Sequence, residues 1–274
     1  MQDLDLLDGR LRVSNMPGAG GGVAFAHVVT ERQNENGLLV AASSGTTLRL
    51  AQGQYGEFKA DDVRWLGAIS VDYGMIAVAQ SSPFQSLDDV IEAWRKDPAS
   101  AVLGGGSAVG GQDHLMSLLL AKEAGIDPLK LRYVSFDGGG EALSAALGGH
   151  IAILSSDVSS NRAQVEAGTV RGLAVLAPER LEGDMAIIPT AKELGYDVEW
   201  PTFRGFFGPA GMSEDAANSW EQKLKQVEAS DAWVDVRTQL GLQPYALIGD
   251  PFQQFVTQQI DELQALTQSM GLSN

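Results

Sequence analysis

The hydrophobic pattern of this chain alternates between two periods. Short apolar runs bounded by glycine, proline or small polar residues read as strands, and stretches with apolar residues three and four apart read as helices. The runs predict strands at Leu11–Val13, Leu38–Ala42, Val63–Val71, Gly74–Gln80, Ala101–Gly104, Leu131–Phe136, Ile151–Leu154, Arg171–Leu176 and Thr202–Gly208. The longer period predicts a helix end at Met1–Asp8, then helices at Gly22–Glu35, Ser86–Lys96, Asp113–Ala124, Glu141–Leu147, Asn161–Ala167 and Thr190–Leu194. Three more close the chain, at Glu214–Ser230, Ala232–Leu240 and Pro251–Met270. Ser86 is a fitting N-cap with Asp88 and Asp89 in the first turn, and Gly125, Gly168 and Gly195 stand where helices stop. Phe252, Phe255, Ile260, Leu263 and Leu266 form a stripe at near-helical spacing, which reads as core packing.

Strands alternating with helices define an α/β fold with mainly parallel sheets. In such folds ligands lie beyond the C-terminal ends of the strands. A chain of 274 residues accommodates one large domain or two smaller ones. Gln80–Phe84 and Thr202–Pro209 are the expected crossings between two lobes. Residues 1–80 with 209–274 then make lobe one, and residues 81–208 make lobe two.

Composition narrows the function. A net charge of −16 makes nucleic acid and anionic membrane surfaces poor partners. No apolar stretch approaches the roughly 18 residues of a membrane span. The absence of cysteine removes disulfides, thiolate metal sites and cysteine nucleophiles. His27, His114 and His150 have no zinc-ligand spacing, so neither a metal nor another cofactor is expected. The N-terminus lacks a basic region and a long apolar core, so it does not read as a signal peptide.

The candidate chemistry lies in glycine-rich turns at Gly18–Gly22, Gly104–Gly111 and Gly138–Gly140. Glycine permits close backbone approach, and a helix start behind such a turn attracts anions. Gly104–Gly111 is read as an anion cradle, with the Ser107 hydroxyl and the backbone near Ala108 facing inward. It fails the dinucleotide fingerprint and the nucleophile elbow, because Val109 occupies the required glycine position. It also fails the P-loop pattern. The Gly138, Gly139 and Gly140 amides suit a carboxylate, or the glycines serve tight strand–helix packing. Ser43, Ser44 and Thr46 end a strand, where their hydroxyls either bind a carboxylate or cap the next turn. Ser155 and Ser156 end another strand, within reach of the same cleft. His114 either assists the anion site or plays a structural part. Carboxylates are scattered, with no pair spaced for acid–base work.

Val13–Gly21, Gly105–His114, Phe136–Leu143 followed by Leu147–His150, and Phe203–Gly205 before Gly208–Gly211 together resemble the solute-binding receptors of tripartite tricarboxylate transporters. The resemblance implies a two-lobed, type II periplasmic binding-protein fold without enzymatic activity. It implies a monomer that captures a citrate-like di- or tricarboxylate and delivers it to membrane components of a transporter. By that likeness Ser43, Ser44 and Thr46 on one lobe face Ser107, Ala108 and Gly138–Gly140 on the other. The family also has a strand and a proline–glycine loop ahead of the Val13 stretch, which this sequence lacks. Docking to a sensor, or a small-acid enzyme using Ser107 and His114, are the alternatives.

Overall fold

The computed structural model describes residues 1, 4–7 and 9–272. Its first half contains α1 (Gly22–Glu31), β1 (Val40–Ser43), α2 (Ser44–Ala51), β2 (Val63–Ala79), α3 (Leu87–Lys96), β3 (Leu103–Gly105) and α4 (Gln112–Glu123). There follow β4 (Tyr133–Ser135), α5 (Gly139–Leu147), β5 (Ile153–Asp157), α6 (Val158–Glu166), β6 (Val170–Val175) and β7 (Pro201–Pro209). The chain ends with α7 (Glu214–Glu228), α8 (Asp231–Gln239), β8 (Leu247–Ile248) and α9 (Asp250–Ser269).

β2 organises the molecule. It runs 17 residues and belongs to two sheets. Its first half pairs with β7 from Val63↔Pro209 to Tyr73↔Pro201, with β1 on the far side of β7 and β8 against Gly67–Ala68. Its second half pairs with β5 from Gly74↔Asp157 and with β6. β3 lies between β4 and β5, parallel to both, as expected of an α/β lobe. The pairs made by β2, and β1 with β7, are antiparallel. Both sheets are flanked by helices, which gives the two-lobed α/β architecture.

The change of sheet therefore falls at Tyr73–Gly74, not at Gln80–Phe84. β7 pairs wholly within the first sheet, so the return crossing precedes Pro201 rather than occupying Thr202–Pro209. Gly74 sits at this change of sheet, and a Cβ there would lie 2.5 Å from Met116 Sδ. A side chain here would have to displace Met116, so glycine lets the strand pass close to α4 without repacking.

Burial explains the remaining geometry. In lobe one Phe25, Trp65, Phe203, Phe207 and Phe252 share one aromatic core, with Phe203 edge-on to Trp65 and Phe252. In lobe two Trp94, Leu103, Leu115, Leu118 and Ile153 share another. The stripe on α9 is core, as its spacing suggests, and it serves both: Phe252 and Val256 pack in the aromatic cluster, whereas Leu263 and Leu266 pack against the Trp94 cluster.

Several expected elements differ in the structure. Thr190–Leu194 is not helical; Thr190 bridges Val175 and a turn leads to Gly195. Leu11–Val13 is exposed and forms no strand, and no strand among the described residues pairs with it. Of Met1–Asp8, residues 4–5 form a turn rather than a helix end; Gln2, Asp3 and Asp8 lie outside the described residues. Val63–Val71 and Gly74–Gln80 merge into one strand.

Candidate functional site

The N-terminal ends of α2, α4, α5 and α6 come together where the lobes meet. α2 starts behind a capping box: Gly45 N–H donates to Ser43 Oγ at 3.2 Å, and Ser43 N–H donates to Thr46 Oγ1 at 3.5 Å. Ser43 and Thr46 thus cap the turn, one of the roles their spacing allows. Ser44 is buried and its hydroxyl is engaged: Phe203 N–H donates to it at 3.1 Å and Gln259 Nε2 at 3.3 Å. It locks α2 to β7 and α9.

Across the junction, Gln112 opens α4, and its Oε1 lies 3.8 Å from the position a Gly45 Cβ would take. Gln52, at the end of α2, donates to the Gly110 carbonyl at 2.7 Å. The serines of lobe one and the Gly110–Gln112 turn of lobe two are thus brought together. The second and third glycine turns also meet. A Cβ on Gly106 would lie 2.3 Å from Gly139 N and 2.6 Å from Gly138 C, so the two turns touch backbone to backbone. Gly138, Gly139 and Gly140 themselves have open space where a Cβ would stand, and none takes positive φ in the left-handed region. The fold does not demand glycine at these three positions.

The Gly104–Gly111 loop differs from an open anion cradle. The Asp113 carboxyl is turned into the loop, against Gly105 and beside the Gly106 and Ser107 backbone and the Ser107 hydroxyl. The loop already holds an anion of its own. Burial pushes the Asp113 carboxyl up to about 6, and those groups oppose the shift. Asp113 N–H donates to Ser107 Oγ at 3.1 Å, and Tyr133 OH donates to the Ser107 carbonyl at 2.8 Å. Ser107 is therefore a strut of the loop, while Ala108 is exposed.

His114 is buried; its Nδ1 accepts the Gly110 N–H at 3.0 Å and its ring packs 4.5 Å from that of Tyr133. Burial pulls its imidazole down to about 4, so it is neutral near pH 7. This is the structural alternative for His114. Ser155 and Ser156 point to opposite faces of β5, as strand geometry requires. Ser155 Oγ donates to the Asp113 carbonyl at 2.6 Å and bonds Ser117 Oγ at 2.7 Å. Ser156 is buried on the face that packs against the Met75 and Leu154 cluster.

A cluster of one arginine and two aspartates at the junction was not expected from the sequence. Arg204 lies opposite Ser43 in the β1–β7 register, with its side chain 34% exposed. Its Nη2 donates to Asp72 Oδ2 at 2.8 Å and to Asp157 Oδ2 at 3.0 Å, which ties lobe one to lobe two. Gln112 Nε2 donates to the same Asp157 oxygen at 3.2 Å. Ser159 Oγ, at the start of α6, donates to Asp72 Oδ2 at 2.5 Å. Burial, and then the charge of Asp72, push the Asp157 carboxyl up, and Arg204 opposes them. The available signal was an arginine and two aspartates inside runs of strand character.

A two-lobed α/β fold joined by shared strands, with helix N-termini converging on the seam, is the architecture of the periplasmic type of binding protein. The chain matches the tripartite tricarboxylate transporter family receptor over residues 6–272, and it belongs to that family. Members are solute-binding receptors, not enzymes, and so is this chain. Among curated relatives it is 21% identical to a UPF0065 protein of Bordetella pertussis over 95% of this chain and 79% of that one. It is 23% identical to protein BugT of the same species, over 94% and 79%. Among solved structures it resembles Rhodopseudomonas palustris Rpa4515 with adipate (TM-score 0.83, 21% identity, 93% and 85% covered). It also resembles MatC of that organism with bound malate (TM-score 0.76, 20% identity, 93% and 87% covered).

Proposed function

We propose that this receptor captures a small organic carboxylate at the lobe seam, in the periplasm, and hands it to membrane components of a tripartite transporter. The observation that carries this reading is the Gly138–Gly140 turn. Three successive glycines open a helix, and neither packing nor backbone strain requires them. First-turn amides of a helix have no carbonyl within it to donate to, so those of α5 suit an anion at its positive end. Ser43 and the Gly110–Gln112 turn face the same seam. The similar structures with adipate and malate support an acid of four to six carbons.

The family resemblance favours citrate. The seam weighs against a trianion: Asp72, Asp113 and Asp157 stand there against one guanidinium, Arg204. We therefore place acids of lower charge ahead of citrate. The lobes are taken as residues up to Tyr73 with those from Pro201, and residues 74–200 between them. Closure is a hinge motion at Tyr73–Gly74 and Trp200–Pro201, stabilised when ligand touches both lobes.

Titration calorimetry with malate, adipate, succinate and citrate tests the reading, together with the Gly139→Val variant. At least one acid should bind, and Gly139→Val should weaken it by roughly tenfold or more while leaving the melting temperature nearly unchanged, because the added side chain meets open space. Undiminished binding in Gly139→Val removes the turn from the site.

A further inference from the structure

Four buried side-chain atoms among the described residues have no hydrogen-bond partner: Ser70 Oγ, Asp157 Oδ1, Trp200 Nε1 and Thr202 Oγ1. All four lie at the crossings between the lobes. Ser70 and Thr202 stand on the paired strands β2 and β7, Trp200 is at the return crossing, and Asp157 is opposite Gly74. Buried hydroxyls elsewhere are engaged. Thr47 donates to the Ser44 carbonyl at 2.9 Å, Ser117 and Ser155 bond each other at 2.7 Å, and Thr267 donates to the Leu263 carbonyl at 2.7 Å. A buried polar group without a partner is uncommon in a folded protein and calls for an explanation.

The strand register supplies one. Ser70 pairs with Arg204 and Asp72 with Thr202, so these four side chains form a block on one face of the β2–β7 ladder. Two of them reach lobe two. Arg204 donates to Asp157 Oδ2 at 3.0 Å, and Asp72 accepts from Ser159 Oγ at 2.5 Å and Ser159 N–H at 3.3 Å. Lobe two thus closes on this face of lobe one. Ser70 and Thr202 are each 0% exposed within the block, so no water-sized space touches them. With the lobes parted, the face meets solvent and its hydroxyls bond to water. Closure removes that water and returns no partner.

We propose that the Ser70 and Thr202 hydroxyls oppose closure, and so hold the ligand-free receptor partly open until a ligand bridges the lobes. They set affinity without touching the ligand. This rests on the receptor and hinge reading above and adds to it the groups that fix the resting position. A hydroxyl sealed without a partner shifts an equilibrium against the sealed state by roughly 5- to 100-fold. A ligand that binds the closed form has its apparent affinity reduced by the closed fraction.

Thr202→Val keeps a β-branched side chain and removes only the hydroxyl, and Ser70→Ala does the same at the second position. Small-angle X-ray scattering of the ligand-free proteins should give the parent a radius of gyration above that calculated for the closed form, and each variant a radius nearer to it. In titration calorimetry with malate, adipate, succinate and citrate, at least one acid should bind the parent. Thr202→Val should tighten that binding roughly fivefold or more, and Ser70→Ala should act in the same direction. Thr267→Val is the control: its hydroxyl is bonded within α9, so radius and affinity should stay at the parent values. A parent radius already at the closed value overturns the proposal. So do variants that melt at a higher temperature with radius and affinity unchanged, which marks hydroxyls buried within lobe one in both forms. Weaker binding in Thr202→Val overturns it too, because the hydroxyl then has a partner when the lobes close. If the radii contract and no acid binds, this inference stands and the carboxylate reading falls. If an acid binds and the radii do not move, the reading stands and this inference falls.

Discussion

At the residue scale, Asp113 and His114 are neighbours whose titrations oppose one another. The Asp113 carboxyl lies at about 6 in the folded protein against an ordinary value of 3.8, so between those values the native state holds the extra proton. Stability from this group is present at low pH and is lost as pH rises through 6. His114 lies at about 4 against 6.5, so there the unfolded state holds the extra proton. Stability from His114 is present above pH 6.5 and is lost as pH falls through 4. The two effects nearly offset between pH 4 and 6.5, so His114→Gln should make the melting temperature fall as pH rises across that window relative to the parent, and Asp113→Asn should make it rise. Parallel slopes in the two variants would show that burial does not set these titrations. Gly106 gives a second test at this scale. Gly106→Ala drives a Cβ into the Gly138–Gly139 backbone and should cost about 1–3 kcal/mol by urea denaturation. Gly139→Ala, with open space, should stay within about 0.5 kcal/mol.

Elements with strong local signals were legible in the chain. The helix from Leu87 to Lys96 has its Ser86 cap, acidic first turn and basic last turn in the order the sequence suggests. α9 and α7 carry their apolar stripes onto the core. Weak signals mislead: Thr190–Leu194 has helical spacing, but the backbone is claimed by Val175 and Leu194 closes only a turn. β2 reads as two strands in the sequence because Asp72 interrupts its apolar run; the break is real in function, since it marks the change of sheet. At α2 the cap is one of the two roles that spacing allows Ser43. Its removal in Ser43→Ala should lower stability by about 1 kcal/mol, since Gly45 N–H and Thr46 lose their partner in the box. A chemical-denaturation midpoint unchanged from the parent would mean that α2 is held by the Ser44 bonds to Phe203 and Gln259 alone.

At the scale of the whole molecule, family and architecture were legible because glycine turns recur in fixed order, whereas the seam was not. Hydroxyls and glycines announce themselves in a sequence; which carboxylates converge depends on the register of β2, β5 and β7. Asp72, Asp157 and Arg204 are far apart in the chain and meet only through that register. Their meeting bears on motion. β2 and the α9 helix span both lobes, and Arg204 with the Gln52–Gly110 bond fastens the front of the seam. Arg204→Gln leaves Asp72 and Asp157 facing each other without their shared cation, so the lobes should separate at that edge. Because a third of Arg204 is in solvent, the loss should be about 1–3 kcal/mol, less than the roughly 3–5 kcal/mol of a fully buried broken pair. Small-angle X-ray scattering of the ligand-free protein should then give a larger radius of gyration for Arg204→Gln than for the parent. Arg204→Gln/Asp157→Asn, with the repulsion relieved, should return most of the way. If the single variant keeps the parent radius, the lobes are held by α9 and the shared strand, and the ion cluster tunes the ligand rather than the hinge.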